Sequence, residues 1–177
     1  GETATLKGIV SGLDLAGTCL GIQLRSKVIA GEKIVPGDRI VGVPSSGIHS
    51  NGLTLARRIV EDGGGYGERL RNGRTIGEEL LTPTRIYSGA LEVTENVPVH
   101  GMCHVTGGGL LNFKRLSEYG FVVDNPIKPP GIFGWMQKAG DISDEEMYRT
   151  FNMGMGYAYI VPEKSVACVT KMVPGAQ

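Results

Sequence analysis

The chain has 177 residues, 28 of them glycine, with 18 basic residues balanced by 18 acidic ones. Glycine is about twice as frequent as usual, but the 41% apolar share can build a core, and no Gly-X-Y period indicates collagen. The balanced charge argues against a general nucleic-acid-binding face. No apolar run approaches the roughly 18 residues of a membrane helix. The three cysteines are far apart, which argues against a disulfide framework and favours a reducing cytoplasm.

The first half of the chain predicts two strands and one helix. Strands are expected at residues 17–24 and 39–43, where apolar residues cluster. Between residues 53 and 60, apolar side chains recur at helical spacing, so a helix is expected to end before Gly63. Residues 66–77 are predicted to form a polar surface loop.

The second half predicts alternating helices and strands. The helices are one opened by Thr82-Pro83, one from Leu110 to Gly120, one at 132–139, a short one capped by Ser143 and one around 166–169. The strands lie at 97–105, 121–124 and 156–161. This order mixes hairpin-like and crossover connections. The expected fold is therefore α+β, with a mixed sheet and packed helices.

A glycine-containing turn at residues 44–52 joins the second predicted strand to the first helix. Backbone N–H groups at such a helix start are unpaired, and with the helix dipole they favour an anion, typically phosphate. Four side chains of the turn can add donors: Ser45, Ser46, Ser50 and Asn51. Ser50 or Asn51 is also the expected N-cap. A well-capped helix without a ligand is the open alternative, and no Gly-Lys-Ser/Thr indicates a Walker P-loop.

His49 lies inside this turn, where a histidine can titrate near neutral pH and move a proton. A second strand-to-helix turn follows His104, and its three glycines allow close approach to a ligand or to a packed element. Cys103, His100 and His104 match no standard zinc spacing, so ordinary hydrogen-bonded histidines are expected there.

Two further groups of polar residues are candidates for binding. Arg149 and Asn152 join a predicted helix to a strand, where Arg149 can grip a phosphate or carboxylate, or form only a surface ion pair. Glu2 and Asp14 lie in a polar N-terminal segment. Carboxylates beside phosphates often hold Mg²⁺, although two acids in such a segment are more often simply solvated.

Six stretches together resemble one family, the phosphoribosylformylglycinamidine cyclo-ligases, also called aminoimidazole ribonucleotide synthetases. They are GETA at 1–4, DLAG at 14–17, PSSGIHSNG at 44–52, ELLTPTRIY at 79–87, HVTGGGL at 104–110 and EMYRTFNMGMG at 146–156. The resemblance implies a ligase of purine biosynthesis that uses ATP to close the ring of formylglycinamidine ribonucleotide. Formylglycinamidine ribonucleotide synthetase, another member of the same superfamily, and a non-catalytic binding or assembly module are the alternatives.

The resemblance also implies roles for individual residues. His49 is the candidate for proton transfer or for stabilising an imidate, and Glu2 for the Mg²⁺–ATP side of the site. The other residues implied to bind or support the substrate are Ser46, Gly47, Ser50, Asn51, Thr106, Gly107, Gly108, Arg149 and Asn152.

The domain organisation follows from the same resemblance. Residues 1–16 are expected to be the remnant of an N-terminal ATP-binding domain, and residues 17–177 the C-terminal domain without its last strand. The chain is thus expected to be part of a longer, homodimeric enzyme and to be inactive alone. The expected partners are formylglycinamidine ribonucleotide and ATP, with no nucleic acid or membrane.

Overall fold

A computed structural model describes residues 17–177. Its strands are β1 (Arg39–Pro44), β2 (Gly101–His104) and β3 (Met155–Val161). Its α-helices are α1 (Leu53–Gly63), α2 (Ile76–Leu80), α3 (Ala90–Asn96), α4 (Gly131–Ala139), α5 (Asp144–Thr150) and α6 (Val166–Met172). Three 3-10 helices span Arg25–Lys27, Gly109–Arg115 and Glu163–Ser165.

The three strands form a sheet in the order β1-β3-β2, and both neighbours run antiparallel to β3. Val41 pairs with Tyr159 on one side of β3, and Cys103 pairs with Ala158 on the other. The register between β1 and β3 shifts between Val43 and Pro44, where the glycine-containing turn begins. Helices and a small sheet in one chain confirm the α+β class.

Three hydrophobic clusters hold these elements together. One lies among α1, α4 and α5, with Phe133 and Phe151 fully buried at its centre. A second packs α3 and α6 on the face of β3 that carries Tyr159. A third covers the opposite face, around Ile160 and Phe113. Because both faces of β3 are covered, a nearly continuous apolar strand is stable there.

Several predicted elements are confirmed, and their ends coincide with glycine or proline. The strand at 39–43 and the helix that stops at Gly63 form as β1 and α1, and the helix at 132–139 forms as α4. Ser143 caps α5 by accepting a hydrogen bond from the Glu146 N–H. The last strand and last helix form as β3 and α6.

Four predictions about local structure are wrong. Residues 17–24 and 121–124 form no strand, because no described strand pairs with them. Residues 66–77 do not form a loop throughout, because Thr75 opens α2 with a reciprocal capping box. Thr82-Pro83 opens no helix, and the next one begins at Ala90.

The cap of α1 also differs from the prediction, since Gly52 occupies it instead of Ser50 or Asn51. Gly52 has a φ of +69°, and a Cβ there would collide with the Phe151 ring. The buried aromatic ring therefore selects glycine at this position. Within residues 17–177, no helix is long and apolar enough to cross a membrane.

Candidate functional site

The turn at residues 44–52, called here the β1–α1 loop, is fixed on one side by the segment that leads into β3. The Ser45 N–H donates to the Gly154 carbonyl at 2.8 Å. The Asn152 side chain donates to the Gly47 carbonyl at 2.9 Å and accepts from the Gly154 N–H at 2.9 Å. Asn152 is 2% exposed, and one end of its amide bonds the loop while the other bonds the segment that leads into β3.

Residues 82–87 fix the other side of the β1–α1 loop. The Ser46 hydroxyl donates to the Pro83 carbonyl at 2.7 Å and accepts from the Arg85 N–H at 3.0 Å. The Tyr87 hydroxyl donates to the Pro44 carbonyl at 3.1 Å. These long-range bonds hold residues 82–87 against the loop, outside any helix, and explain why Thr82-Pro83 opens no helix.

His49 is the most constrained residue of the loop. It is 4% exposed and has a φ of +60°, in the left-handed region that histidine adopts more readily than most residues. Its Nε2 accepts a hydrogen bond from the Ser46 N–H at 3.2 Å. Its Nδ1 is buried without a hydrogen-bond partner in the described part of the chain. Burial, and then the nearby His104, lower the pKa of His49 to about 4.

An aromatic wall of Tyr87, His104 and Tyr157 stands beside His49. The His49 ring centroid lies 6.0 Å from that of Tyr87 and 6.4 Å from that of His104. Tyr87 stacks on Tyr157 with 5.4 Å between centroids. A Cβ at Gly156 would collide with the Tyr87 hydroxyl and lie 2.7 Å from His49 Cε1, so glycine lets the two side chains meet over β3.

The second glycine turn, residues 106–109, lies against the first. The Asn112 side chain donates to the carbonyls of Gly107 and Gly109 at 3.2 and 2.8 Å. A Cβ on Gly107 would lie 3.5 Å from Asn51 Oδ1, which places the two turns in contact distance. Gly109 packs so closely on the Tyr148 carbonyl that no Cβ fits, so close packing explains this glycine.

The structure thus brings together most of the residues predicted for the site. The β1–α1 loop contains Ser46, Gly47, His49, Ser50 and Asn51, and the second turn contains Thr106, Gly107 and Gly108. Ser50 also reaches Thr84, with 3.5 Å between the hydroxyl oxygens. Asn152 contacts the loop through its hydrogen bond to the Gly47 carbonyl.

Arg149 and Glu2 are not joined to this cluster. The Arg149 side chain is 56% exposed and pairs with Glu145 on α5 at 3.7 Å. Glu2 lies outside the described residues. Within residues 17–177, no three His, Cys, Asp or Glu side chains gather to hold a metal ion. His100 instead pairs with Asp38 at 2.8 Å.

Four site residues were not among the predicted ones: Tyr87, His104, Tyr157 and Asn112. Two of them had a signal, because Tyr87 ends the ELLTPTRIY stretch and His104 begins HVTGGGL. Tyr157 and Asn112 had no signal in the sequence, since their roles depend on how β3 and the 3-10 helix Gly109–Arg115 pack. Burial raises the pKa values of Tyr87 and Tyr157 to about 12, so both hydroxyls keep their protons at neutral pH.

Comparison of the sequence with known proteins identifies the family of this chain. Residues 35–175 match the family described as AIR synthase related protein, C-terminal domain. The chain belongs to this family. It is 51% identical to phosphoribosylformylglycinamidine cyclo-ligase of Methanosarcina barkeri, over 99% of this chain and 54% of that protein. It is 50% identical to the cyclo-ligase of Thermococcus kodakarensis, over 93% of this chain and 48% of that protein.

The AIR synthase related match confirms the resemblance predicted from the six motif stretches. The cyclo-ligase of Methanopyrus kandleri is also similar, with 46% identity over 98% of this chain and 52% of that protein. The chain spans about half the length of the curated relatives it matches.

Proposed function

We propose that the chain supplies the C-terminal part of an ATP-dependent cyclo-ligase of purine biosynthesis. The enzyme would convert formylglycinamidine ribonucleotide to aminoimidazole ribonucleotide, with release of ADP and phosphate. The observation that carries the proposal is the β1–α1 loop. It holds a buried histidine, whose Nδ1 has no hydrogen-bond partner within residues 17–177, beside a second glycine turn. The identity of about 50% to named cyclo-ligases supports it.

The proposed reaction has two steps that this site suits. The formyl oxygen attacks the γ-phosphorus of ATP, and ADP leaves. An amidine nitrogen then attacks the formyl carbon, the carbon–oxygen bond breaks with its electron pair going to phosphate, and the nitrogen loses a proton. Both steps develop charge on oxygen, which fixed hydrogen-bond donors stabilise.

The residues of the two turns divide into two roles in this proposal. Backbone groups at Gly47, Gly107 and Gly108, with the side chains of Ser50, Asn51 and Thr106, contact the phosphorylated substrate. Ser46 and Asn152 act through the loop, because their side chains already bond Pro83, Gly47 and Gly154. His49 acts on the reacting carbon or its oxygen. Arg149 pairs with Glu145 apart from the two turns, so its binding of an anion stays a prediction from the resemblance.

The proposal includes ATP and Mg²⁺ because the resemblance to the cyclo-ligases implies both. Because residues 17–177 contain no group of metal ligands, we derive no step through Mg²⁺, and Glu2 stays a prediction for that role. The cytoplasmic location, the homodimer and the absence of a nucleic-acid partner also stay predictions from the sequence.

The test is a chimera that joins this chain to the half of the Methanosarcina barkeri cyclo-ligase outside the alignment. We expect the chimera to close the ring with ATP and the 177-residue chain alone to show no turnover. The intact Methanosarcina barkeri protein is the positive control. A folded chimera that fails to form the imidazole, or that instead performs glutamine-dependent amidation, would contradict the proposed function.

A further inference from the structure

The hydrogen bond from the Ser46 N–H determines which nitrogen of His49 carries the proton. A backbone N–H can only donate, so Nε2 must offer its lone pair. In a neutral imidazole the other nitrogen is then protonated. His49 therefore has its proton on Nδ1.

Nδ1 is also the nitrogen without a partner among residues 17–177. A buried donor left unpaired costs about 1–3 kcal/mol, and native proteins pair nearly all such groups. The left-handed backbone of His49 is a second unfavourable feature at the same residue. Both are features of a ring held in place for a partner outside residues 17–177.

The surroundings of His49 disfavour a charged ring. Tyr87 and His104 face it from residues 82–87 and from β2. Arg85 lies beyond Tyr87, with its guanidinium carbon 5.7 Å from the centre of the Tyr87 ring. Within residues 17–177, these neighbours include no carboxylate to stabilise an imidazolium, and burial holds the pKa of His49 at about 4.

We propose that His49 is a neutral hydrogen-bond donor, which directs its Nδ1–H at the oxygen bonded to the ring-closing carbon, and not a proton shuttle. This rests on the proposed function and assigns the role of one residue within it. A fixed neutral donor stabilises charge that develops on this oxygen as its bond to carbon breaks, without itself exchanging a proton. A neutral histidine with a lowered pKa can polarise an oxygen in this way.

The first experiment reads the proton directly in the 177-residue chain. Histidine labelled with ¹⁵N is followed by NMR between pH 8 and 5, and the His49 signals are assigned from their loss in His49→Gln. We expect a proton-bearing Nδ1 and an unprotonated Nε2 throughout. A proton on Nε2, or titration near pH 6.5, would overturn the proposal whatever reaction the protein catalyses.

The second experiment compares two variants in the chimera, His49→Asn and His49→Ala. Both lose Nε2, but the asparagine amide nitrogen lies as many bonds from Cα as Nδ1 does, and asparagine accepts a positive φ. Neither side chain can take up a proton near neutral pH. We expect kcat of His49→Asn to stay within about 10-fold of the parent and kcat of His49→Ala to fall by about 100–1000-fold.

Equal and large losses of kcat in the two variants would show that a neutral donor at the position of Nδ1 does not restore the reaction, and the proposal would be wrong. His100→Asn is the matched control, because His100 lies at the Asp38 pair away from the loop and should keep the parent kcat. An inactive parent chimera would defeat the proposed function, while the NMR result would still decide the protonation of His49.

Discussion

At the scale of single residues, the site uses polar side chains in two different ways. Ser46 and Asn152 direct their side chains at backbone groups of the loop and its neighbours. Ser45 Oγ and His49 Nδ1, in contrast, are buried without a partner within residues 17–177. The sequence placed all four in or beside the site. The sequence could not distinguish side chains that support the loop from side chains that bind a ligand, because the segments that hold the loop lie 34 or more residues away in the chain.

The lowered pKa of His49 predicts a stability that depends on pH. The unfolded chain binds the proton with an ordinary pKa near 6.5 and the folded chain with a pKa of about 4. Folding is therefore increasingly disfavoured as pH falls from about 6.5 to 4, and the cost is about 2.5 kcal/mol at pH 4.5. Above pH 6.5 this contribution vanishes.

Urea unfolding at pH 7 and pH 4.5 measures this effect. The free energy of unfolding should fall less on acidification in His49→Gln than in the parent chain. His100→Gln serves as the comparison, since it should keep the His49 contribution. The same acid sensitivity in the parent and in His49→Gln would contradict the assigned pKa.

At the scale of elements, glycine and hydrophobic periodicity predicted several boundaries correctly, but the helix expected from Leu110 to Gly120 is a 3-10 helix that ends at Arg115. α1 and α4 end at glycine positions, and β1 is an apolar run ended by proline. The missed α2 had a readable signal, the Thr75-x-x-Glu78 capping box. The wrong helix start at Thr82-Pro83 had no such signal, because the course of residues 82–87 depends on bonds to the β1–α1 loop.

Asn152 links the segment that leads into β3 to the β1–α1 loop, and a single substitution removes this link. Asn152→Ala leaves the Gly47 carbonyl and the Gly154 N–H without their buried partner, so the free energy of unfolding should fall by about 2–4 kcal/mol. The exposed Asn125→Ala is the control and should change it by less than about 0.5 kcal/mol. Chemical denaturation measures the free energy of unfolding of both variants. Equal values for Asn152→Ala and Asn125→Ala would show that Asn152 does not hold the loop.

At the scale of the whole molecule, motifs in their order identified the family although several local structures were predicted wrongly. The segment at 17–24 shows the reason, because its strand-like sequence carries the exposed residues Leu20 and Ile22. A strand forms only where a partner edge exists, and sequence pattern alone does not reveal the partner. Motif spacing does not depend on such pairing.

These exposed residues predict self-association of the 177-residue chain. Leu20 is 93% exposed and Ile22 fully exposed, in a segment with β-forming sequence. Sedimentation velocity over a range of concentrations should show less association in Leu20→Ser/Ile22→Ser than in the parent. Val122→Ser, an exposed apolar site elsewhere, is the control. Unchanged association in the double variant would contradict this prediction.

The strand order also sets when the sheet can form during synthesis. β1 and β2 each pair with β3 and not with each other, yet β3 follows them both in the chain. During translation, β1 and β2 leave the ribosome long before their shared partner, with apolar residues uncovered. The sheet therefore cannot assemble until residue 161 has emerged, and the β1–α1 loop acquires its support from Asn152 and Gly154 only then.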